Sequence, residues 1–301
     1  MLSKYYCIEQ GEAVFDETYG SHFMSAIEDA LREKYQDAGI KRIIPVGKGT
    51  LGSFFELCVN GKRKFVKTHR CGDRYRLNLL KEIEIMSLVY GSMIDIEKVE
   101  FETEGIQAVC MVMDFLYPCL DSVRPEEVRK QIAFYRKSLG QVELTSGYSF
   151  SQVLDAGERS LDCLRAEGLL SKDIFVRCRE SLQRIREGMP CERFICHGDL
   201  SNVNIMYADG CGGKIPIVID WEDALLAFEG YDFLYWLTFF SQRKFYSSSL
   251  LAEQGIDKNW GIDIMALIVA VKSYMSYRNG SYVKNRFSFD RRLYEIYDMG
   301  K

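Results

Sequence analysis

Apolar residues along this chain recur at helical spacing in some stretches and at strand spacing in others. Over residues 21–38, Phe23, Ile27, Leu31 and Tyr35 share one face, which predicts an amphipathic helix closing at Gly39. Packing on the domain that follows is a simpler role for it than mediating association. The pattern then changes. Phe54-Phe55-Glu56-Leu57-Cys58-Val59 and Lys62-Arg63-Lys64-Phe65-Val66-Lys67 flank Asn60-Gly61, a pair that favours a two-residue hairpin turn. Residues 75–90 return to helical spacing through Leu77, Leu80, Ile83, Ile85, Met86 and Val89. Ala108-Val109-Cys110-Met111-Val112-Met113 is apolar without interruption and reads as a buried strand, ended by Asp114-Phe115-Leu116-Tyr117-Pro118.

Beyond it the periodicity predicts helices at residues 125–139, 149–164, 171–187, 230–241 and 261–278. Between the third and fourth, Asn204-Ile205-Met206-Tyr207 and Ile215-Pro216-Ile217-Val218-Ile219 flank the turn formers Asp209-Gly210-Cys211-Gly212-Gly213, which predicts a second antiparallel hairpin. A β-rich part followed by a helical part is an α+β architecture. The expected partition is an N-terminal extension with a helix at 1–40, a small lobe at 41–116 and a large lobe at 117–301, the lobes meeting within residues 116–125.

Composition narrows the function. At 301 residues the chain exceeds a typical single domain, and a hydrophobic content of 47% supplies two cores. A net charge of -4 argues against a general nucleic-acid binder, which needs a basic stripe. The 10 cysteines include no Cys-x-x-Cys pair for zinc or redox work and read as free thiols in a reducing compartment. No apolar run approaches the roughly 20 residues that cross a bilayer. Acidic residues arrive before any apolar stretch at the N-terminus, unlike a signal peptide, so a cytoplasmic location is expected.

The chemistry is concentrated in Cys196-His197-Gly198-Asp199-Leu200-Ser201-Asn202-Val203-Asn204 and in Ile219-Asp220-Trp221-Glu222. Moving a γ-phosphoryl group requires a carboxylate to orient the acceptor hydroxyl and oxygen ligands to hold Mg²⁺ against the nucleotide phosphates. Asp199 can be that base, Asn204 one Mg²⁺ ligand through its amide oxygen, and Asp220 the main one. The second hairpin would carry Asn204 and Asp220 to one end. Upstream, Gly47-Lys48-Gly49-Thr50-Leu51-Gly52-Ser53 fits G-x-G-x-x-G. A dinucleotide-binding turn would open a helix, whereas this loop leads into a hairpin.

These spaced residues resemble the HGDxxxxN and IDWE segments of the aminoglycoside phosphotransferase and choline kinase group, relatives of the protein kinases. The resemblance runs over about residues 43–240 and implies a two-lobed kinase-like fold that uses ATP or GTP with Mg²⁺. It places Gly47, Gly49, Gly52 and Ser53 over the phosphates and Lys67 on the α- and β-phosphates. It pairs Lys67 with a helix carboxylate, Glu82 in preference to Glu84, and sets the adenine contacts at Met113, Asp114, Phe115 and Leu116. Within the catalytic set, His197 would hold the loop by a hydrogen bond, with Asp232 buttressing it. Trp221 and Glu222 would face the acceptor.

The acceptor implied is a small-molecule hydroxyl: an aminoglycoside, choline or ethanolamine, a sugar or a cell-envelope saccharide. Acidic Glu222 and Asp223 favour neutral or cationic acceptors. The aromatic residues of 221–240 could cage a quaternary ammonium. Phe233, Trp236, Leu237 and Phe240, however, fall at core spacing on one helix. The chain departs from its relatives at Ser201-Asn202, where many carry Lys-Pro or His-Pro, and it lacks the Asp-Phe-Gly and Ala-Pro-Glu of protein kinases. A catalytically silent kinase-like module is the alternative. It would have lost one of Lys67, Asp199, Asn204 or Asp220, and none is lost.

Overall fold

Five strands, β1 (Gly39–Ile43), β2 (Phe54–Val59), β3 (Lys62–Thr68), β4 (Ile96–Thr103) and β5 (Ile106–Asp114), form an antiparallel sheet in the order β1-β2-β3-β5-β4. The computed structural model describes residues 17–36, 38–43, 54–69, 72–103, 105–119, 123–140, 142, 148–188, 194–210, 213–278 and 288–299. Asn60 and Gly61 join β2 to β3 with φ of 51° and 75°, the left-handed pair that matches the twist of the flanking strands.

Strand β5 explains its own uninterrupted apolar sequence. Val109, Met111 and Met113 join the main core, to which helix α2 (Asp73–Tyr90) contributes Leu79, Ile83 and Met86. Ala108, Cys110 and Val112, on the opposite face, pack with Phe23, Met24, Ile27 and Leu31 of helix α1 (Glu17–Lys34). The sheet is therefore covered on both sides, and no polar residue of β5 need alternate with the apolar ones. The N-terminal helix packs on the sheet. It ends at Lys34 rather than running to Gly39, which instead opens β1, because Ile40 pairs with Leu57 and draws the chain into the sheet. Tyr35 and Lys34 fix the helix end by bonding the Glu97 carboxylate of β4, each at 2.7 Å.

Helices dominate the remainder: α3 (Pro125–Leu139), α4 (Phe150–Ala166), α5 (Lys172–Glu187), α6 (Tyr231–Leu237), α7 (Ser248–Glu253), α8 (Lys258–Arg278) and α9 (Phe289–Asp298). Helix α8 is buried all round over residues 261–271, as its hydrophobic sequence requires. Asp263 within it is neutralised by Arg184, which donates through Nε and Nη2 at 2.8 Å each. Helix α6 is shorter than the periodicity predicts. It stops at Leu237 and gives way to a 3-10 turn, Phe240–Phe245, leaving Phe240 exposed rather than in the core.

Short strands position the loops that matter. The hairpin β9 (Ile205–Gly210) and β10 (Gly213–Val218) pairs Ile205 with Val218, and β6 (Tyr117–Pro118) adds to its edge. Strand β11 (Leu225–Ala227) lies between β7 (Tyr148–Ser149) and β8 (Phe194–Cys196). The segment after β8 and the segment before β11 are thereby held side by side. The described cysteines 58, 110, 119, 163, 178 and 196 are free thiols. Among the described residues no helix is long and apolar enough to cross a membrane.

If α1 is an integral layer, Phe23→Ala or Leu31→Ala should each cost about 2–5 kcal/mol, the usual loss for a large buried side chain, measured by urea denaturation. A change below about 0.5 kcal/mol, typical of surface substitutions, would show that the helix is only loosely attached.

Candidate active site

The loop after β8 is built around one buried carboxylate. Asp232, in the first turn of α6, accepts hydrogen bonds from the His197 N–H at 2.8 Å and the Gly198 N–H at 3.1 Å, and from the Tyr135 hydroxyl at 2.6 Å. Three donors offset the cost of taking this charge out of water. Burial, reinforced by the Asp232 charge, holds the Tyr135 hydroxyl well above the usual range, so it remains a donor. His197 is fully buried, and both of its ring nitrogens are committed to backbone. Nε2 meets the Ile219 carbonyl at 2.8 Å and Nδ1 accepts from the Asp199 N–H at 3.1 Å. Together these bonds tie the loop to its own backbone and to Ile219, just after β10.

Gly198 has φ of 80°, and a Cβ there would lie 2.1 Å from the Asp223 carbonyl oxygen. Only glycine lets the two segments approach this closely. Asn202 is anchored by a hydrogen bond from Trp236 Nε1 to its Oδ1 at 2.7 Å. Asn204 donates from Nδ2 to the Asp199 carbonyl at 2.9 Å, and its own carbonyl accepts from Ile219 N–H at 2.9 Å. The amide nitrogen being engaged, Oδ1 is the atom Asn204 can offer a cation.

The second half of the site centres on Lys67 at the end of β3. Its Nζ lies 2.6 Å from Glu82 Oε2 and 2.6 Å from Asp220 Oδ1, with Glu222 Oε2 at 4.0 Å. Glu82 is the partner on α2. Glu84, two residues on, points outward and is exposed. Glu82 uses its other oxygen, Oε1, to accept the Asp220 N–H at 3.0 Å. Asp220 itself sits at φ 70° and ψ 53°, a left-handed conformation that aspartate tolerates better than most residues.

Glu82, Asp220 and Glu222 offer ligand oxygens that all lie within 4.8 Å of one another. Three carboxylates face one ammonium. Burial alone would lower the Lys67 ammonium, yet the Asp220, Glu82 and Glu222 charges hold it well above the usual lysine range. Burial likewise raises the Glu82 carboxyl, with Lys67 opposing. Glu222 is pushed up to about 8 by burial, against Lys67 and with help from Asp220, Asp223 and Glu82. This surplus of hard oxygen donors fits a divalent cation of the Mg²⁺ type.

Two groups that the periodicity did not single out complete the arrangement. Lys81 donates to the Glu222 carbonyl at 2.5 Å and the Ala224 carbonyl at 3.2 Å, and burial lowers its ammonium to about 8. The Tyr90 hydroxyl accepts the Val218 N–H at 3.1 Å. Both lie on α2, and a lysine or tyrosine on an amphipathic helix carries no mark of such a contact.

The remaining expectations divide between positions the structure describes and positions it does not. Gly47, Gly49, Gly52 and Ser53 lie outside the described residues. At the connector, Met113 is buried and paired within the sheet to Phe65 and Ile96. The Asp114 N–H bonds the Asp95 carbonyl at 3.1 Å and the Phe115 N–H bonds the Arg63 carbonyl at 3.3 Å. These two donors are therefore used inside the small lobe, as is the Asp114 carboxylate, 2.8 Å from Lys64. Trp221 does not face an acceptor. It is fully buried edge-on to Tyr135 and donates to the Val218 carbonyl at 2.8 Å. Asp223 is buried too. The rings of Tyr235 and Phe239 already hold a cation of the chain's own, Lys272 Nζ, at 4.4 and 3.2 Å from their centroids.

Comparison with known proteins bears on the fold. Residues 145–263 match the phosphotransferase enzyme family. The fold is kinase-like. A crystal structure of the aminoglycoside phosphotransferase APH(4)-Ia superposes with a TM-score of 0.63 at 14% identity, covering 92% of this chain and 99% of that one. The GDP complex of aminoglycoside 2'-phosphotransferase-IIIa gives 0.61 at 15% identity, covering 93% and 98%. The choline kinase LicA from Streptococcus pneumoniae gives 0.55 at 13% identity, covering 92% and 98%. No protein of curated function matches the chain by sequence.

The close approach at Gly198 makes a testable point. Gly198→Ala should lose at least the roughly 1–3 kcal/mol that a strained non-glycine conformation costs, with more from displacing Asp223. Chemical denaturation measures it, and an unchanged midpoint would contradict the described packing.

Proposed function

We propose that this chain is a Mg²⁺-dependent small-molecule kinase that transfers the γ-phosphoryl group of ATP or GTP to a hydroxyl of an aminoglycoside, an amino alcohol or a saccharide. The observation that carries the reading is Lys67, bonded at once to Glu82 and to Asp220 at 2.6 Å each. This ties the nucleotide-facing strand to the turn beside the Asp199–Asn204 loop. The lobes are taken to divide after Leu116.

In this reading Lys67 holds the α- and β-phosphates once a nucleotide displaces its contact with Asp220, and Glu82 keeps the ammonium in place throughout. Asp220 and Asn204 supply oxygens to the metal, which when bound neutralises charge on the phosphates. Asp199, whose backbone is pinned by Asn204 and His197, accepts the proton of the attacking hydroxyl. A loose phosphoryl-transfer transition state asks little more of the base than position. Gly47, Gly49, Gly52 and Ser53 are assigned to the phosphates. With the Asp114 and Phe115 N–H groups engaged, the base edge is assigned to Leu116. The surplus carboxylates favour neutral or cationic acceptors over anionic ones. A thermostable mutant of APH(4)-Ia has been crystallised with ADP and hygromycin B, and the similar fold of APH(2")-IIia is known with GDP and kanamycin, which supports a hydroxylated amino-sugar acceptor here.

Calorimetry should give binding of MgATP or MgGTP, and a catalytically competent enzyme should hydrolyse it slowly without acceptor. A folded sample that binds neither ends the proposal, and one that binds without turnover in any acceptor screen favours the silent module. At a hundredfold excess over Kd, nucleotide should add about 2.7 kcal/mol of apparent stability.

The two aspartates should separate. Asp199→Asn should leave MgATP affinity nearly intact while abolishing transfer, whereas Asp220→Asn should weaken metal-dependent binding. Equal effects on affinity would refute the division of roles. An acceptor panel matched in size and varied in charge, with labelled ATP, tests selectivity, and a clear preference for anionic acceptors contradicts it.

A further inference from the structure

Helix α2 grips the turn that carries Asp220 at three successive places. Tyr90 takes the Val218 N–H at 3.1 Å, Glu82 takes the Asp220 N–H at 3.0 Å, and Lys81 reaches the Glu222 and Ala224 carbonyls at 2.5 and 3.2 Å. The last two come from adjacent residues, one accepting from the start of the turn and the other donating to its end. Between them Asp220 is held at φ 70°, where a residue with a side chain stays only if its surroundings impose it. Glu82 also serves Lys67, so its loss would disturb two contacts at once. Lys81 meets the turn through backbone carbonyls alone among its described bonds.

We infer that Lys81 is a positioning residue for metal binding, holding the 220–224 turn in the shape that presents the Asp220 carboxylate to a divalent cation. The inference rests on the nucleotide-site reading above. A lysine ammonium suits the task because it has several donors and can satisfy two carbonyls at once. It would act on the metal only through Asp220. Its removal should therefore separate metal-dependent from metal-independent nucleotide affinity, which a general loss of stability would lower together.

The test uses full-length wild type, Lys81→Met, Lys81→Gln and Lys81→Arg, each first confirmed folded by thermal unfolding. ATP affinity is measured by calorimetry with EDTA and with Mg²⁺. Lys81→Met should keep its EDTA affinity within about twofold and lose roughly 10–100-fold in Mg²⁺, the range seen when the outer partners of metal ligands are removed. Lys81→Arg, which keeps two or more donors, should recover part of it. Lys81→Gln serves if the methionine variant fails to fold. Hydrogen exchange without ligand gives an independent reading, in which amides of residues 218–224 should open faster in Lys81→Met while those of α8 do not change. Equal losses with and without Mg²⁺, or no loss, together with unchanged exchange, overturn the inference and leave the nucleotide site standing. If wild type binds no MgATP, the reading of the site falls and the metal role of Lys81 falls with it, and faster exchange would then report only a structural clamp.

Discussion

The Glu82 carboxylate is a single buried charge with two obligations. One oxygen meets the Lys67 ammonium and the other the backbone N–H of Asp220, so strand β3, helix α2 and the turn after β10 converge on one group. A charge this deep is tolerated only while every partner is present, because an uncompensated buried ion is far costlier than a broken surface pair. The three elements are consequently bound to move together. The separation between the sheet that would hold a nucleotide and the loop that would act on it is set by covalent geometry and two short contacts.

Around that point the polar groups form a chain of mutual support. Asp232 holds the His197 and Gly198 amides, His197 holds the Ile219 carbonyl and the Asp199 amide, and Asn204 ties Asp199 back to Ile219. Each donor and acceptor is a backbone group or is itself pinned by one. Such networks are stable when complete and fragile when one member is missing. The aromatic layer beneath, with Trp221 edge-on to Tyr135 and tilted against His197, keeps water from competing for these bonds.

Much of this is legible in the chain itself. The hairpin at Asn60-Gly61 announces itself because few pairs suit a left-handed turn, and β5 does so because its two covered faces leave no polar position. Strand β4 is harder to see. Val99 and Phe101 alternate with the exposed Lys98, Glu100 and Glu102, and so short a charged alternation resembles a solvated loop until its pairing with β5 is known. Glu82 and Glu84 are alike in composition, and only the direction in which α2 meets the sheet distinguishes them. The left-handed Asp220 cannot be read from sequence because aspartate occupies ordinary conformations equally well. Lys81 has the look of a solvated charge, since nothing local records which backbone carbonyls will fold over it. Trp221 misleads for a related reason: adjacency to a proposed metal ligand in sequence says little about direction when the backbone turns left-handed between them.

The layer that α1 lays over the sheet has a bearing on how the small lobe comes into being. This helix is made before the strands it covers, and the apolar faces of β2, β3 and β5 that it needs are complete only once the chain has grown through β5, so it must wait with Phe23 and Leu31 unsatisfied. A fragment begun at Gly39 would have the opposite problem, a finished sheet with a bare oily flank that invites self-association. The helix ahead of the kinase-like core is thus one of its walls, and trimming it to obtain a minimal nucleotide-binding unit would trade solubility for brevity.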